Sequence, residues 1–390
     1  MPNAGDWQSD VLRDLRGDPQ QDAQSRGGQV RHSVPTGREL PVQSAQEPDT
    51  ARSVSTSPRT EDQHSGPKKQ ASLGHAPNPA PRTAPDPRPV VDERMAGLLR
   101  RKPQHGEPFA TRATRALRRV LCSSAAREVA ETTRTAEVLQ RPVTTGRQIA
   151  VTSIRGGSGK TTVAALLGTT YAHYRHDPVL FLEADPALGS LPLRLGAETL
   201  RWTTGDLAEI VQPDMSLSDV TGYLVQLPGN AWLLPASQGR IGASLDSRAY
   251  ERAVVALRRH FGVMVIDCET LPAEVGRVAL AAAHGRVLTA PATPEGVTST
   301  YAVLRWMREL PHRLITGTVV VLTETAPGPG IDLGAAVRQL TSTGAGAHVL
   351  PYDRHLASGG PVDTALLARP TREAAARIAA DVFHLAQTRH

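Results

Sequence analysis

The sequence predicts an α/β domain over residues 148–390, a parallel β-sheet flanked by helices, behind a long disordered N-terminal region. Three observations carry this. Short apolar runs fall at 149–153, 179–182, 231–234, 263–267, 286–290, 317–322 and 347–350. Runs this short and this apolar read as strands buried on both faces. Helical patterns fill most of the gaps, notably 160–174, 247–260, 296–309, 331–341 and 371–387, and such alternation builds a parallel sheet. The first strand runs directly into a glycine-rich turn, and a helix follows at once. There is no internal repeat.

Residues 1–93 are poor in apolar side chains and rich in Pro, Gln, Ser, Asp and Arg. Too little apolar surface is available there to offset the entropy of ordering, so disorder is expected. Residues 94–147 differ in charge. They hold 12 Lys/Arg against four Glu, whereas residues 148–390 are balanced at 21 against 21. Within this lead-in, residues 110–121 can form a basic helix, with Arg112, Arg115, Arg118 and Arg119 set against Ala113, Leu117, Val120 and Leu121. A second helix is expected from about Ala125 to Leu139. These arginines either are simply solvated or form a contact site for acidic lipid, nucleic acid or an acidic partner.

Two cysteines, Cys122 and Cys268, provide neither a disulfide framework nor metal-ligand spacing, which points to a reducing compartment. There is no charged-then-apolar leader and no apolar run near membrane-spanning length. The expected location is cytoplasmic, at most peripheral at the inner face of the cell membrane.

The turn itself reads Arg155-Gly-Gly-Ser-Gly-Lys-Thr-Thr162. Gly156, Gly157 and Gly159 let the backbone turn sharply and aim successive N–H groups at phosphate oxygens, together with Ser158. The helix after it adds the positive end of its dipole. Lys160 is placed to reach the β- and γ-phosphates, and the Thr161 hydroxyl to sit on Mg²⁺, with Thr162 following. Only four of the 44 basic residues are lysine, and Lys160 is the only one after residue 102. A compact ammonium and a planar fork are not interchangeable where a loop closes on phosphate.

Two further strands end in carboxylates. The run 179–182 is followed by Glu183 and Asp185, at the edge where open α/β sheets bind ligands. The run 263–266 ends in Asp267, a pattern that puts a carboxylate beside Mg²⁺.

These segments together resemble the ParA/MinD family of P-loop ATPases with a deviant Walker A motif. The loop 155–162 looks like that family's Lys-Gly-Gly-x-Gly-Lys-Thr, Glu183-Ala-Asp185-Pro186 like its Asp-x-Asp-Pro, and Asp267 like its metal-side aspartate. The stretch 346–360, with Pro351-Tyr-Asp353 and Ala357-Ser-Gly-Gly360, looks like the late loop beside the adenine. More narrowly, the Arg-rich lead-in, the Trp232–Ala236 strand and the Pro-Tyr-Asp loop are similar to actinobacterial MinD-like ATPases associated with type VII secretion. The resemblance covers residues 148–390.

It implies ATP and Mg²⁺ as ligands and a nucleotide-dependent homodimer with a protein partner at the membrane. Asp185 would orient the attacking water, and Arg155 would reach the other subunit's phosphates. Lys160, Asp185 and Asp267 are the implied catalytic set. Three departures stand out: Arg155 replaces the signature lysine, Glu183 replaces an aspartate, and Cys268-Glu269-Thr-Leu-Pro272 replaces the usual Thr-Pro-Pro. Slow or partner-dependent hydrolysis is expected. Guanine recognition through Asn/Thr-Lys-x-Asp is excluded, since no lysine follows Lys160. The expected function is a dimer switch serving a membrane-associated apparatus such as type VII secretion. The alternatives are a DNA-partitioning ATPase, for which only residues 94–147 supply positive charge, or a non-hydrolysing scaffold.

Overall fold

Seven of the eight strands in the main sheet coincide with the apolar runs. A computed structural model describes residues 84–92, 104–114, 125–187, 189–240, 242–328 and 330–388. The sheet consists of β2 (Arg147–Ser153), β3 (Val179–Ala184), β5 (Val225–Leu227), β6 (Ala231–Leu234), β7 (Val263–Cys268), β8 (Gly285–Pro291), β9 (Thr318–Thr323) and β10 (Gly346–Leu350). Their order is β10-β9-β8-β2-β7-β3-β6-β5. All pairs are parallel except β5 with β6.

Side chains alternate between the two faces, as the pleat requires. Ile149, Val151, Phe181, Val263 and Val265 pack under α2 (Lys160–Tyr174) and α12 (Arg369–Gln387). Ala150, Leu180, Leu182, Met264 and Ile266 pack under α4 (Thr204–Ile210), α6 (Ser247–Leu257) and α7 (Glu274–Ala282). A third cluster with Leu288, Val320 and Leu322 lies beneath α8 (Pro294–Met307) and α10 (Leu333–Thr341). The amphipathic C-terminal helix α12 buries Ile378, Val382 and Phe383 in the core.

The lead-in is partly built into this fold. Helix α1 (Ala125–Leu139) ends with Leu139 fully buried in the first cluster. Arg175 anchors that end: its Nη1 donates to the carbonyls of Leu139 (2.7 Å) and Arg141 (2.9 Å). The same guanidinium pairs with Asp177 at 2.7 Å and lies 4.5 Å from the Phe383 ring centre. A cation on the last carbonyls of a helix complements its dipole. Upstream, Gly106 donates to Leu366 O (2.7 Å) and accepts from Arg354 N (3.1 Å). A Cβ there would lie 2.4 Å from Ala368 N, so only glycine fits.

Residues 84–92 depart from the disorder expected of 1–93. Strand β1 (Arg88–Pro89) pairs antiparallel with β4 (Thr199–Leu200), and Val90 N donates to Glu198 O at 2.9 Å. Proline lacks an N–H but tolerates extended backbone at the edge of a ladder. The rest of that region falls outside the described residues, as do Arg115, Arg118, Arg119 and Cys122; Arg112 is described, on a helical stretch over 109–114. No helix among the described residues is long and apolar enough to cross a membrane.

Candidate functional site

Strand order reverses at β2, whose neighbours β7 and β8 come much later in the chain. In open α/β sheets the crevice at such a switch point is where ligands bind. The loop leaving β2 is drawn round by the Ser153 hydroxyl, which donates to Arg155 O at 2.9 Å. Gly157 (φ 75°) and Gly159 (φ 81°) are left-handed, a region that side chains disfavour. Gly159 caps α2 without a side-chain bond, so no capping side chain takes up the first N–H groups of the helix. Above Gly156 and Gly157 a Cβ would meet nothing within 4 Å. The loop is uncovered at these two glycines.

The other side of the loop is braced. Ser158 is buried, and its hydroxyl lies 2.9 Å from that of Thr289. Since Thr289 donates to Thr152 O (3.2 Å), the Ser158 hydroxyl is the donor between them. Thr323 donates to Ser158 O at 2.9 Å. Ser158 thus offers a ligand its backbone, while its hydroxyl points inward. Thr289 and Thr323, from β8 and β9, brace the loop and are residues that sequence reasoning missed. Their signal was a threonine near the end of an otherwise apolar run.

Lys160 and Thr161 open α2, with the Thr161 hydroxyl beside Asp267 on β7. Asp267 sits in register between Val151 on β2 and Glu183 on β3. Burial pushes its carboxyl up to about 7; the Thr161 hydroxyl and the Lys160 charge oppose this, and Asp185 adds to it. Its Oδ1 is buried with no protein partner. Glu183 is held differently. Its two carboxylate oxygens accept from backbone N–H groups of Leu191 (3.1 Å) and Ala236 (3.2 Å). Burial nevertheless raises it to about 8, with Asp267 and Asp185 contributing. Asp185 lies half-buried just beyond β3. Glu269 joins the cluster, raised by burial and by Asp185 and lowered by Lys160.

Arg155 is exposed, and its Nε donates to Ser299 Oγ (3.1 Å) on α8 of the same chain. Thr162 accepts from Arg194, a residue the sequence did not single out, at 2.6 Å. The arrangement fits a polyphosphate with a divalent cation. The uncapped N–H groups and Lys160 suit phosphate oxygens, and the Thr161 hydroxyl beside Asp267, with its orphaned Oδ1, suits a hard cation.

No family model matches the chain. Over 227 residues, 56% of this chain, it is 29% identical to the ESX-1 secretion-associated protein EspI of Mycobacterium tuberculosis, a span covering 34% of that protein. Over 122 residues, 31% of this chain, it is 34% identical to the septum site-determining protein MinD of Synechocystis, covering 44% of it. The chain is ParA/MinD-like. Its matches span between about a third and under half of those two relatives' lengths. Among solved structures, a ParA family ATPase from Chlorobium tepidum aligns over 60% of this chain and 98% of its own, with 13% identity and a TM-score of 0.48. In this ParA/MinD-like chain the loop 155–162, Asp185 and Asp267 converge on one end of the sheet, beside the N-terminus of α2.

Proposed function

We propose that this chain binds ATP with Mg²⁺ at the β2–α2 loop and acts as a nucleotide-dependent homodimer switch of the ParA/MinD type. In this reading it hydrolyses ATP slowly or under partner stimulation. The observation that carries it is the buried Asp267, beside the Thr161 hydroxyl and with one orphaned oxygen, together with the uncovered glycines of the loop. A magnesium ion there would neutralise charge on the terminal phosphates. Gly156, Gly157, Ser158 and Gly159 present backbone N–H groups, and Lys160 supplies the ammonium. Thr161 and Asp267 hold the cation, Thr162 meets the phosphates nearer the nucleoside, and Asp185 orients water. Arg155 acts across the dimer after leaving Ser299.

Likeness to EspI supports service to a membrane-associated apparatus such as type VII secretion. In the proposed division, the part of 1–93 that precedes β1 is a tether, the basic stretch 110–121 within 94–147 is a contact segment for acidic lipid or a membrane partner, and 148–390 is the ATPase, with α1 packed on it. The decisive variant is Lys160→Ala, expected to abolish ATP binding in calorimetric titration; wild-type affinity would sink the loop assignment. The surface contact is tested with the full chain carrying Gln at 112, 115, 118 and 119. Sedimentation with anionic vesicles should fall, and retention equal to wild type, or a loss seen only on DNA, would reject a lipid target.

A further inference from the structure

Arg194 closes the short helix α3 (Leu191–Arg194), nine residues after Asp185. Its guanidinium reaches three acceptors: Nη2 donates to Thr162 Oγ1 (2.6 Å) and Leu356 O (3.1 Å), and Nη1 to Gly360 O (3.0 Å). All three are neutral, and among the described residues no carboxylate pairs with it. Burial pushes the guanidinium below its ordinary value. A half-buried cation without a counter-charge is costly unless an anion completes it.

The bond to Thr162 constrains a proton. A guanidinium only donates, so the Thr162 oxygen accepts, and its single proton must point elsewhere. Further along α2, Thr169 and Thr170 donate to the carbonyls four residues back, Ala165 and Leu166, each at 2.7 Å. For Thr162 the corresponding carbonyl is that of Ser158, to which Thr323 donates (2.9 Å) and with which Thr162 makes no hydrogen bond. Among the described residues no protein acceptor takes the Thr162 proton. Thr162 lies in the first turn of α2, next to Thr161, so that proton lies at the phosphate-binding end of the helix.

We propose that Arg194 is a positioning residue: it fixes the Thr162 hydroxyl as a donor to the bound phosphate and adds positive charge to that end of the site. This rests on the nucleotide-binding reading above and deepens it. The same guanidinium ties the loop 356–360 to α2, so the donor and the loop are set together.

The test is a double-mutant cycle by calorimetry on the full chain, with ATP and with inorganic tripolyphosphate as a base-free probe. Arg194→Met and Thr162→Val should each weaken both ligands about tenfold, as expected for a hydrogen bond to a charged group. The double variant should bind no more weakly than the weaker single, because the Thr162 donor is already lost when Arg194 is replaced. Arg194→Lys should recover part of the loss, since one ammonium can serve Thr162 but not all three acceptors. Wild-type affinity in Arg194→Met, or additive losses in the double variant, would overturn the proposal. Should wild type bind tripolyphosphate but not ATP, the nucleotide reading fails alone, and the cycle run with tripolyphosphate still decides Arg194. Binding of neither ligand overturns both.

Discussion

Glu183 allows a quantitative test of the carboxylate cluster. Its carboxyl lies at about 8 in the folded chain against an ordinary 4.5, mainly because it is buried. The folded state therefore favours its protonated form. The stability this contributes is fully present below about 4.5 and is lost as pH rises through about 8. At 1.36 kcal/mol per decade, about 4 kcal/mol should disappear between roughly pH 5 and pH 9 from this group. Asp267, raised to about 7, adds a loss of the same sign, complete at lower pH. Above pH 7 the remaining slope thus belongs largely to Glu183. Glu183→Gln should flatten it. The substitution also carries a pH-independent penalty of roughly 1–3 kcal/mol, because the amide NH₂ must face one of the N–H groups of Leu191 or Ala236. Offset and slope are separable by urea unfolding of the nucleotide-free protein at intervals from pH 5 to pH 9. A variant as pH-sensitive as wild type between pH 7 and pH 9 would refute this account of Glu183.

Two predictions concern the switch itself. Asp185→Ala should bind ATP but turn it over at least about tenfold more slowly, accumulating dimer with ATP and Mg²⁺, a loss typical for removing a group that positions the nucleophile. Light scattering and phosphate release measure both, and a variant that stays monomeric while wild type dimerises counts against the nucleotide-dependent dimer switch. Arg155→Ala should weaken ATP-dependent dimerisation more than monomer affinity, because Ser299 is the side-chain partner that its Nε bonds in its own subunit. Equal losses in the two titrations would assign Arg155 to its own loop.

Much of the sheet was legible because each buried parallel strand is locally apolar: the runs 263–267 and 317–322 became Val263–Cys268 and Thr318–Thr323. The helices that were missed are short. Of these, α4 and α5 (Leu217–Thr221) start at capping boxes, Thr203 with Asp206 and Ser216 with Asp219, which are readable signals where periodicity is weak. By itself the sequence determined the alternating architecture, the glycine cradle with its single nearby lysine, and the carboxylates after two strands. Each depends on residues close together in the chain. Tertiary structure alone decided that Ser158 turns its hydroxyl to Thr289 and that Glu183 accepts from Leu191 and Ala236. It also decided that Arg175 ties α1 into the core, and that Arg194 grips Thr162 from 32 residues away. A side chain's role depends on which donors and acceptors are within about 3 Å, and across a parallel sheet those partners come from strands far apart in sequence.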